Sequence, residues 1–374
     1  MTPSTDYQIC TRCIMDTSDP DIAFNEEGVC SHCTYFDEEV IPNWFPGNEE
    51  GQRRLSAMVK EIKDWGKNKE YDCLIGLSGG VDSSYLAYQV KEVLGLRPLA
   101  VHVDAGWNSE LAVQNIENIV KKLDIDLYTY VVDWPEMKDL QYAYLKSGVA
   151  NQDVPQDHVF TATLYRTAKK HGIKYFLGGS NKATEAILPS SWGYNALDLT
   201  NLLDIHKKFG KRKLKTYPTI SFFEYYIYFP YIFGLKKFRP LDWMDYRRDA
   251  AVALIEEKLN WRNYGEKHHE SRFTKFFQAH YLPHKFGYDK RRAHLSSLIL
   301  SGQISRDQAL KEMEVPLYDP VALQEDKEFV AKKLGFSMNE FESLLNEPGK
   351  DNHEYKTQDK FFKFKDKIKK MLAG

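Results

Sequence analysis

The chain has 374 residues, 43% of them hydrophobic, enough for a packed core in two domains or one large domain with appendages. Its formal net charge is −2, so no bulk field draws it to nucleic acid or to an anionic membrane. The polar start, residues 1–8, lacks a signal peptide's apolar stretch, and no apolar run is long enough to span a bilayer. A cytoplasmic protein with no transmembrane segment and no nucleic-acid partner is expected.

Four of the five cysteines lie near the start. Cys10-x2-Cys13 and Cys30-x2-Cys33 flank a 16-residue spacer, the pattern of a tetrahedral four-cysteine zinc ribbon. Gly28, two residues before Cys30, suits a tight knuckle turn. Disulfides would need an oxidising compartment, which the missing export signal argues against. Four thiolates leave no open position on the metal, so the expected Zn2+ is structural. His32 reads as outside the ligand set. The ribbon and a linker broken by Pro42, Pro46 and Gly47 occupy residues 1–48.

Residues 49–240 then alternate between elements of two kinds. A helix is expected over 53–65, a strand over 71–77, a helix over 83–94 and a strand over 98–104. A helix over 108–123, a strand over 127–132 and helices over 135–147 and 157–171 follow, then a strand over 175–179. This predicts an α/β fold with a doubly wound parallel sheet, whose ligands sit at the carboxyl ends of the strands. Those ends are Ser78-Gly79-Gly80, Asp104, Asp133 and the run from Gly178 to Lys182. Cys73, the fifth cysteine, lies in the first strand and reads as an apolar core residue.

The first strand runs into Ser78-Gly79-Gly80-Val81-Asp82-Ser83-Ser84. Two glycines let backbone N–H groups approach an anion, the two serines add hydroxyls, and the following helix turns its positive end toward phosphates. Asp82 repels phosphate directly and is assigned to Mg2+. This loop resembles that of the PP-loop ATP pyrophosphatase superfamily (HUP-like fold), which implies cleavage of ATP to AMP and pyrophosphate. The string G-x-x-x-x-G-K-[ST] of the other common phosphate loop does not occur.

Farther along, Gly178 and Asn181 are expected to line the nucleotide site, with Asp104 at the second strand's end. The superfamily's G-H-x-x-D-D-x-x-E segment is reduced here to G-G-S-N-K-A-T-E, which keeps Asn181 and Glu185 but loses the His-Asp-Asp core. His158, at a helix start, is a candidate acid–base group, and Arg166 a candidate phosphate ligand. Residues 220–235 are half aromatic and read as a buried hairpin, a pocket wall or an interfacial patch, with buried core preferred. Residues 241–374 read as a helical C-terminal region capping the ATP site, with helices over 245–259, 272–281, 290–301, 305–313, 320–334, 338–346 and 360–372. Within it, His284-Lys285-Phe286-Gly287-Tyr288-Asp289-Lys290-Arg291-Arg292 concentrates cations, so Lys285, Lys290 and Arg291 are candidates for neutralising the departing pyrophosphate. The last helix is basic and amphipathic.

Taken together, C-T-R-C-I-M-D-T-S-D-P-D-I, the knuckle C-S-H-C, L-S-G-G-V-D-S-S, G-G-S-N-K-A-T-E, S-R-F-T-K-F-F-Q and H-K-F-G-Y-D-K-R-R-A-H-L-S-S-L-I resemble the N-acetyl sugar amidotransferase family over roughly residues 8–315. The resemblance implies O-adenylation of a sugar N-acetyl group, attack by ammonia and formation of an acetamidino group, in surface-glycan (lipopolysaccharide O-antigen) biosynthesis. The implied substrate is a nucleotide-linked diacetamido sugar. The implied partners are a separate glutaminase and a cyclase-like subunit that channels ammonia. A PP-loop tRNA thiolase is the alternative, disfavoured because no cysteine pair remains and the charge is near neutral.

Overall fold

The computed structural model describes residues 7–264 and 270–362. Five strands form one parallel sheet in the order β3-β2-β1-β4-β5: β1 Cys73–Gly76, β2 Pro98–Asp104, β3 Asp126–Val131, β4 Tyr175–Leu177 and β5 Lys236–Phe238. The chain winds from β1 outward to β2 and β3, then crosses back to β4 on the other flank of β1. Ile75 consequently pairs with both Ala100 and Leu177. The doubly wound parallel sheet expected from the β-α alternation is present. β5 is an addition: Lys-Lys-Phe is too short and polar to read as a strand, and it forms because an edge needs only one partner, with Leu177 opposite Phe238.

Alternate residues of β1 and β2 bury into opposite cores. Leu74, Val101 and Val103 join Trp107, Tyr144 and Val159 on one face, whereas Cys73, Ile75 and Ala100 join Leu86, Ile116 and Ile255 on the other. Burying each such Leu or Ile contributes ~1.5–3 kcal/mol relative to exposure. Both faces are covered, as an all-parallel sheet requires.

Helix starts follow local capping chemistry. Asn48 caps Glu49–Gly66, Ser109 caps Glu110–Leu123 and Asp133 caps Trp134–Ser147, each side chain accepting a backbone N–H from the first turn. A capped helix, Leu199–Phe209, lies where no element was expected. Helices Arg248–Leu259, Lys290–Leu300, Arg306–Met313, Pro320–Leu334 and Met338–Asn346 supply the helical C-terminal region. The helix expected over 360–372 lies outside the described residues beyond 362. The core crosses residue 240 without a break: Leu241, Ile255, Leu259 and Trp261 pack with Cys73, Ile75 and Leu86.

The aromatic stretch is neither a hairpin nor wholly buried. Residues Glu224–Phe233 form a wide π-helical segment that buries Phe229 and leaves Tyr231 82% exposed. No helix among the described residues is long and apolar enough to cross a membrane.

Candidate active site

The order of the sheet places its switch point between β1 and β4, where the connections depart in opposite directions and open a crevice. The loop after β1 fills this crevice. Gly79 has φ +83°, and a Cβ there would lie 2.7 Å from the Ala112 carbonyl oxygen, so only glycine makes the turn. The Ser78 N–H donates to Ser83 Oγ (3.3 Å), the Gly80 N–H donates to Ser78 Oγ (3.2 Å) and Ser84 Oγ donates to the Gly80 carbonyl (2.7 Å). Trp261 Nε1 ties down the Gly79 carbonyl at 2.8 Å. The loop is thereby shaped before any ligand arrives, and helix Val81–Tyr88 starts within it.

Two chambers meet at this loop. The larger, about 600 Å3, runs past Gly76, Val101, Phe160 and Leu164 toward Asn151, Asp153, Gln156, Trp192 and Tyr194. The smaller, about 230 Å3, is walled by Asp82, Gly179, Glu185, Arg248 and Tyr264. Ser78, Ser83 and Glu270 line both. A third space of about 90 Å3 shares Gln278 and Lys290 with the first chamber and Thr184 and Arg248 with the second.

Tyr246 donates its hydroxyl to Asp82 Oδ1, which orients the carboxylate. Burial, then the Asp82 charge, pushes the Tyr246 hydroxyl well above its ordinary pKa, so it stays a donor. Burial and the neighbouring Glu270 likewise keep Tyr264 protonated. Asp82, Glu185 and Glu270 suit Mg2+ chemically: they are hard oxygen donors, and Mg2+ takes one or two carboxylates together with substrate phosphates. They do not form a complete cation cage by themselves; among the described residues only the cysteine cluster does.

At β2's end, Asn108 Nδ2 donates to His102 Nε2 (3.0 Å), so Nδ1 carries the proton and donates to the Leu77 carbonyl (3.0 Å). Burial lowers the His102 pKa and keeps the ring neutral. Asp104 Oδ1 accepts from the Gly106 N–H (2.8 Å) and from Asn108 Nδ2 (3.3 Å), shaping the wall rather than lining it. Asn181 Oδ1 caps Lys182–Glu185 through the Thr184 N–H (3.0 Å), which sets Glu185 on the small chamber. The Gly178 N–H is spent on the Phe238 carbonyl in the sheet.

The structure separates the remaining candidates. Ser78, Gly80, Asp82 and Ser83 gather at the small chamber, and Lys290 reaches the large one. His158 does not: it is fully buried, its Nδ1 is 2.8 Å from the Ala196 carbonyl, and its Nε2 accepts the Ile220 N–H. Burial pushes its pKa down to about 4, so it is a neutral strut between two segments. Lys285 donates to the Leu344 carbonyl (2.6 Å), and Arg291 pairs with Asp289 and binds the Val315 carbonyl (2.7 Å), so both cations are used in packing helices together. Arg166 donates to the Thr219 carbonyl, away from the chambers. Among the described residues, Arg248 brings a cation to the chamber that Asp82 lines, and no local pattern marked it; Tyr246, Trp261, Tyr264 and Glu270 were missed for the same reason.

The four cysteines converge as a buried cluster. Sγ–Sγ separations of 3.8 Å (Cys10–Cys33), 3.6 Å (Cys13–Cys30) and 3.7 Å (Cys30–Cys33) match the ~3.8 Å edge of a tetrahedron with Zn–S bonds of ~2.3 Å. Backbone N–H groups of Arg12, Cys13 and Cys30 point at Cys10 Sγ at 3.3–3.4 Å, which stabilises thiolate charge. Gly28 has φ +75°, with room for no side chain beside Thr11. The donor set therefore fits Zn2+, which would crosslink the ribbon. The ribbon buttresses the large chamber: Trp192 packs in the cysteine core, and Asp19 accepts from Ser191 Oγ (2.8 Å) while pairing with His32 (2.7 Å). Arg306 binds the Cys10 and Cys13 carbonyls, each at 2.9 Å.

Residues 54–219 match the NAD synthase family, and residues 270–369 match a family described as LPS biosynthesis protein WbpG-like, C-terminal domain. An uncharacterised protein of Methanocaldococcus jannaschii is 21% identical over 319 residues, covering 82% of this chain and 93% of that one. GMP synthase of Aeropyrum pernix is 26% identical over 155 residues, 39% of this chain and 29% of that enzyme. An NH3-dependent NAD synthetase from Campylobacter jejuni superposes on 77% of this chain and 97% of its own, at 13% identity and a TM-score of 0.34. The chain thus joins a segment similar to NAD synthase to a segment similar to the WbpG-like C-terminal domain.

Proposed function

We propose that the protein uses ATP and ammonia to convert an N-acetyl group of a nucleotide-linked diacetamido sugar into an acetamidino group. The observation that carries this reading is the preshaped Ser78–Ser83 loop at the junction of two chambers, one walled by WbpG-like-domain residues Glu270, Ser271, Thr274 and Gln278. The α-phosphate of ATP belongs at the junction, where Ser78 and Ser83 face both sides. The adenine suits the apolar stretch of Val101, Phe160 and Leu164, and the sugar suits the polar far end with Asn151, Asp153 and Tyr194.

An amide is a poor electrophile because nitrogen donates into the carbonyl. Attack of its oxygen on the α-phosphate forms an O–P bond and expels pyrophosphate into the small chamber, where Arg248 and the helix start stabilise its charge. Mg2+ held with Asp82 would neutralise the phosphate oxygens. Ammonia then adds to the activated carbon, AMP leaves with the former amide oxygen, and one ammonia proton departs with the phosphates. Ammonia comes, in this reading, from a separate glutaminase through a cyclase-like channel subunit. The thiolase alternative lacks a nucleophile: Cys73 is buried in β1 and burial raises its thiol pKa, while the other four cysteines form the ribbon cluster.

Mass spectrometry of a reaction containing ATP, Mg2+, ammonium and a panel of nucleotide-linked diacetamido sugars tests the reading. A product lighter by the difference between O and NH, with AMP and pyrophosphate, is expected. Unchanged sugars, with sulfur entering tRNA when a sulfur donor is supplied, would overturn it.

A further inference from the structure

The near-neutral net charge conceals an uneven distribution of charge along the sequence. Residues 207–237 hold eight lysines and arginines against a single acid, Glu224. That acid is occupied locally, accepting from the N–H and Oγ of Ser221. Within this basic stretch, helix Glu224–Phe233 and its lead-in turn display Phe223, Ile227, Tyr231 and Ile232, with Phe361 nearby through the ring of Phe222 (5.4 Å). Tyr231 is 82% exposed and Ile232 63%. The opposite side of the same helix is firmly anchored: Phe229 stacks edge-on against Tyr165 at 5.0 Å, and Tyr225 packs on Tyr165 at 5.2 Å. Exposure is therefore a property of one face, held in place by the other.

Cations rim that face. Lys169 Nζ sits 4.8 Å from the Tyr228 ring centre, and Lys174 lies beside Gly234 at the helix end. Arg166 is fixed to the Thr219 carbonyl at 2.7 Å. These three are exposed and form no ion pair among the described residues; Lys236, the next cation, is bridged to Glu61. The sequence beyond Phe362 adds five more lysines and one aspartate.

We infer that this outer face is a docking surface for an anionic lipid bilayer. Aromatic and aliphatic side chains backed by a rigid helix, with lysine rims, are the composition that lodges at a headgroup boundary. The alternative occupant, a second copy of the chain, fits poorly. An isologous contact would bring two copies of this cation-rimmed face together, where like charges repel. The face lies on the β5 edge of the sheet, and none of its residues lines the two chambers, so docking leaves the crevice open.

Co-sedimentation of the full chain with phosphatidylcholine vesicles, with and without phosphatidylglycerol, tests this. Binding only to the phosphatidylglycerol vesicles, weakened by salt, is expected. Tyr231→Ser with Ile232→Ser should reduce partitioning at least about 10-fold, and Lys169→Gln or Lys174→Gln about 5-fold each. Because the altered side chains are exposed, far-UV dichroism and pyrophosphate release should match the unmodified chain. Absence of binding to anionic vesicles would overturn the inference, as would equal binding by the Tyr231→Ser, Ile232→Ser variant. So would a dimer in solution that this variant converts to monomer, which would assign the face to a second copy.

Discussion

Two segments look like phosphate sites in the sequence, and only one gathers its polar groups around a single chamber. The loop Ser78–Ser83 keeps its promise because its chemistry is local: the turn, the hydroxyls and the helix start lie within a few residues of each other. The cation run His284–Arg292 is far richer in charge, yet Lys285 and Arg291 are consumed by carbonyls at residues 344 and 315, and only Lys290 reaches the large chamber. Charge density in a sequence says how many cations a segment has. Which carbonyls and carboxylates claim them depends on the helices that pack alongside.

The contrast can be broken most sharply at Asp82. Asp82→Ala should lower pyrophosphate release by about 10³-fold or more with the fold intact, and Arg248→Ala by about 10²-fold. Lys285→Ala, in the other segment, should leave turnover within about 2-fold and cost about 1 kcal/mol of stability through its lost carbonyl contact. Steady-state release assays and thermal melts measure all three; a Lys285→Ala loss as deep as that of Asp82→Ala would restore the cation run to the active site.

The ribbon gives the next largest effect. Cys30→Ser should lose bound zinc and several kcal/mol of stability, on the order of 3 or more, and should weaken sugar binding because Trp192 and Ser191 rest on the cluster. Elemental analysis and melting curves check it; a variant retaining zinc would refute the ligand set.

His158 sharpens the comparison through pH. Its folded pKa, about 4, lies below the ordinary histidine value near 6.5, so the unfolded chain takes up the proton first. Stability should therefore fall as pH drops from about 6.5 toward 4, by roughly 3 kcal/mol at most. His280, also lowered to about 4 by burial, adds in the same sense. His158→Gln should flatten part of this slope in pH-dependent melts and leave the pH profile of turnover unmoved. A shifted turnover profile would return His158 to catalysis. The smallest effect is expected at Arg291→Ala, about 1 kcal/mol of stability with activity retained.

Much of this molecule is legible in the linear chain. The four-cysteine cluster follows from cysteine spacing, β2 from its apolar run, and helices Pro320–Leu334 and Met338–Asn346 from caps and punctuation, because each depends on neighbours a few residues away. The crevice is partly legible, since β-α alternation places it at the strand ends. What only the tertiary structure decided was the company each residue keeps across long separations. Tyr246, Arg248, Trp261 and Glu270 come to the Ser78–Ser83 loop from far along the chain, β5 exists because β4 offers it a ladder, and the aromatic helix shows one face to solvent because Tyr165 holds the other. The short-range rules of capping and turns leave their marks in sequence. Long-range packing is selected by shape and volume, which many different residues satisfy, and leaves no local signature.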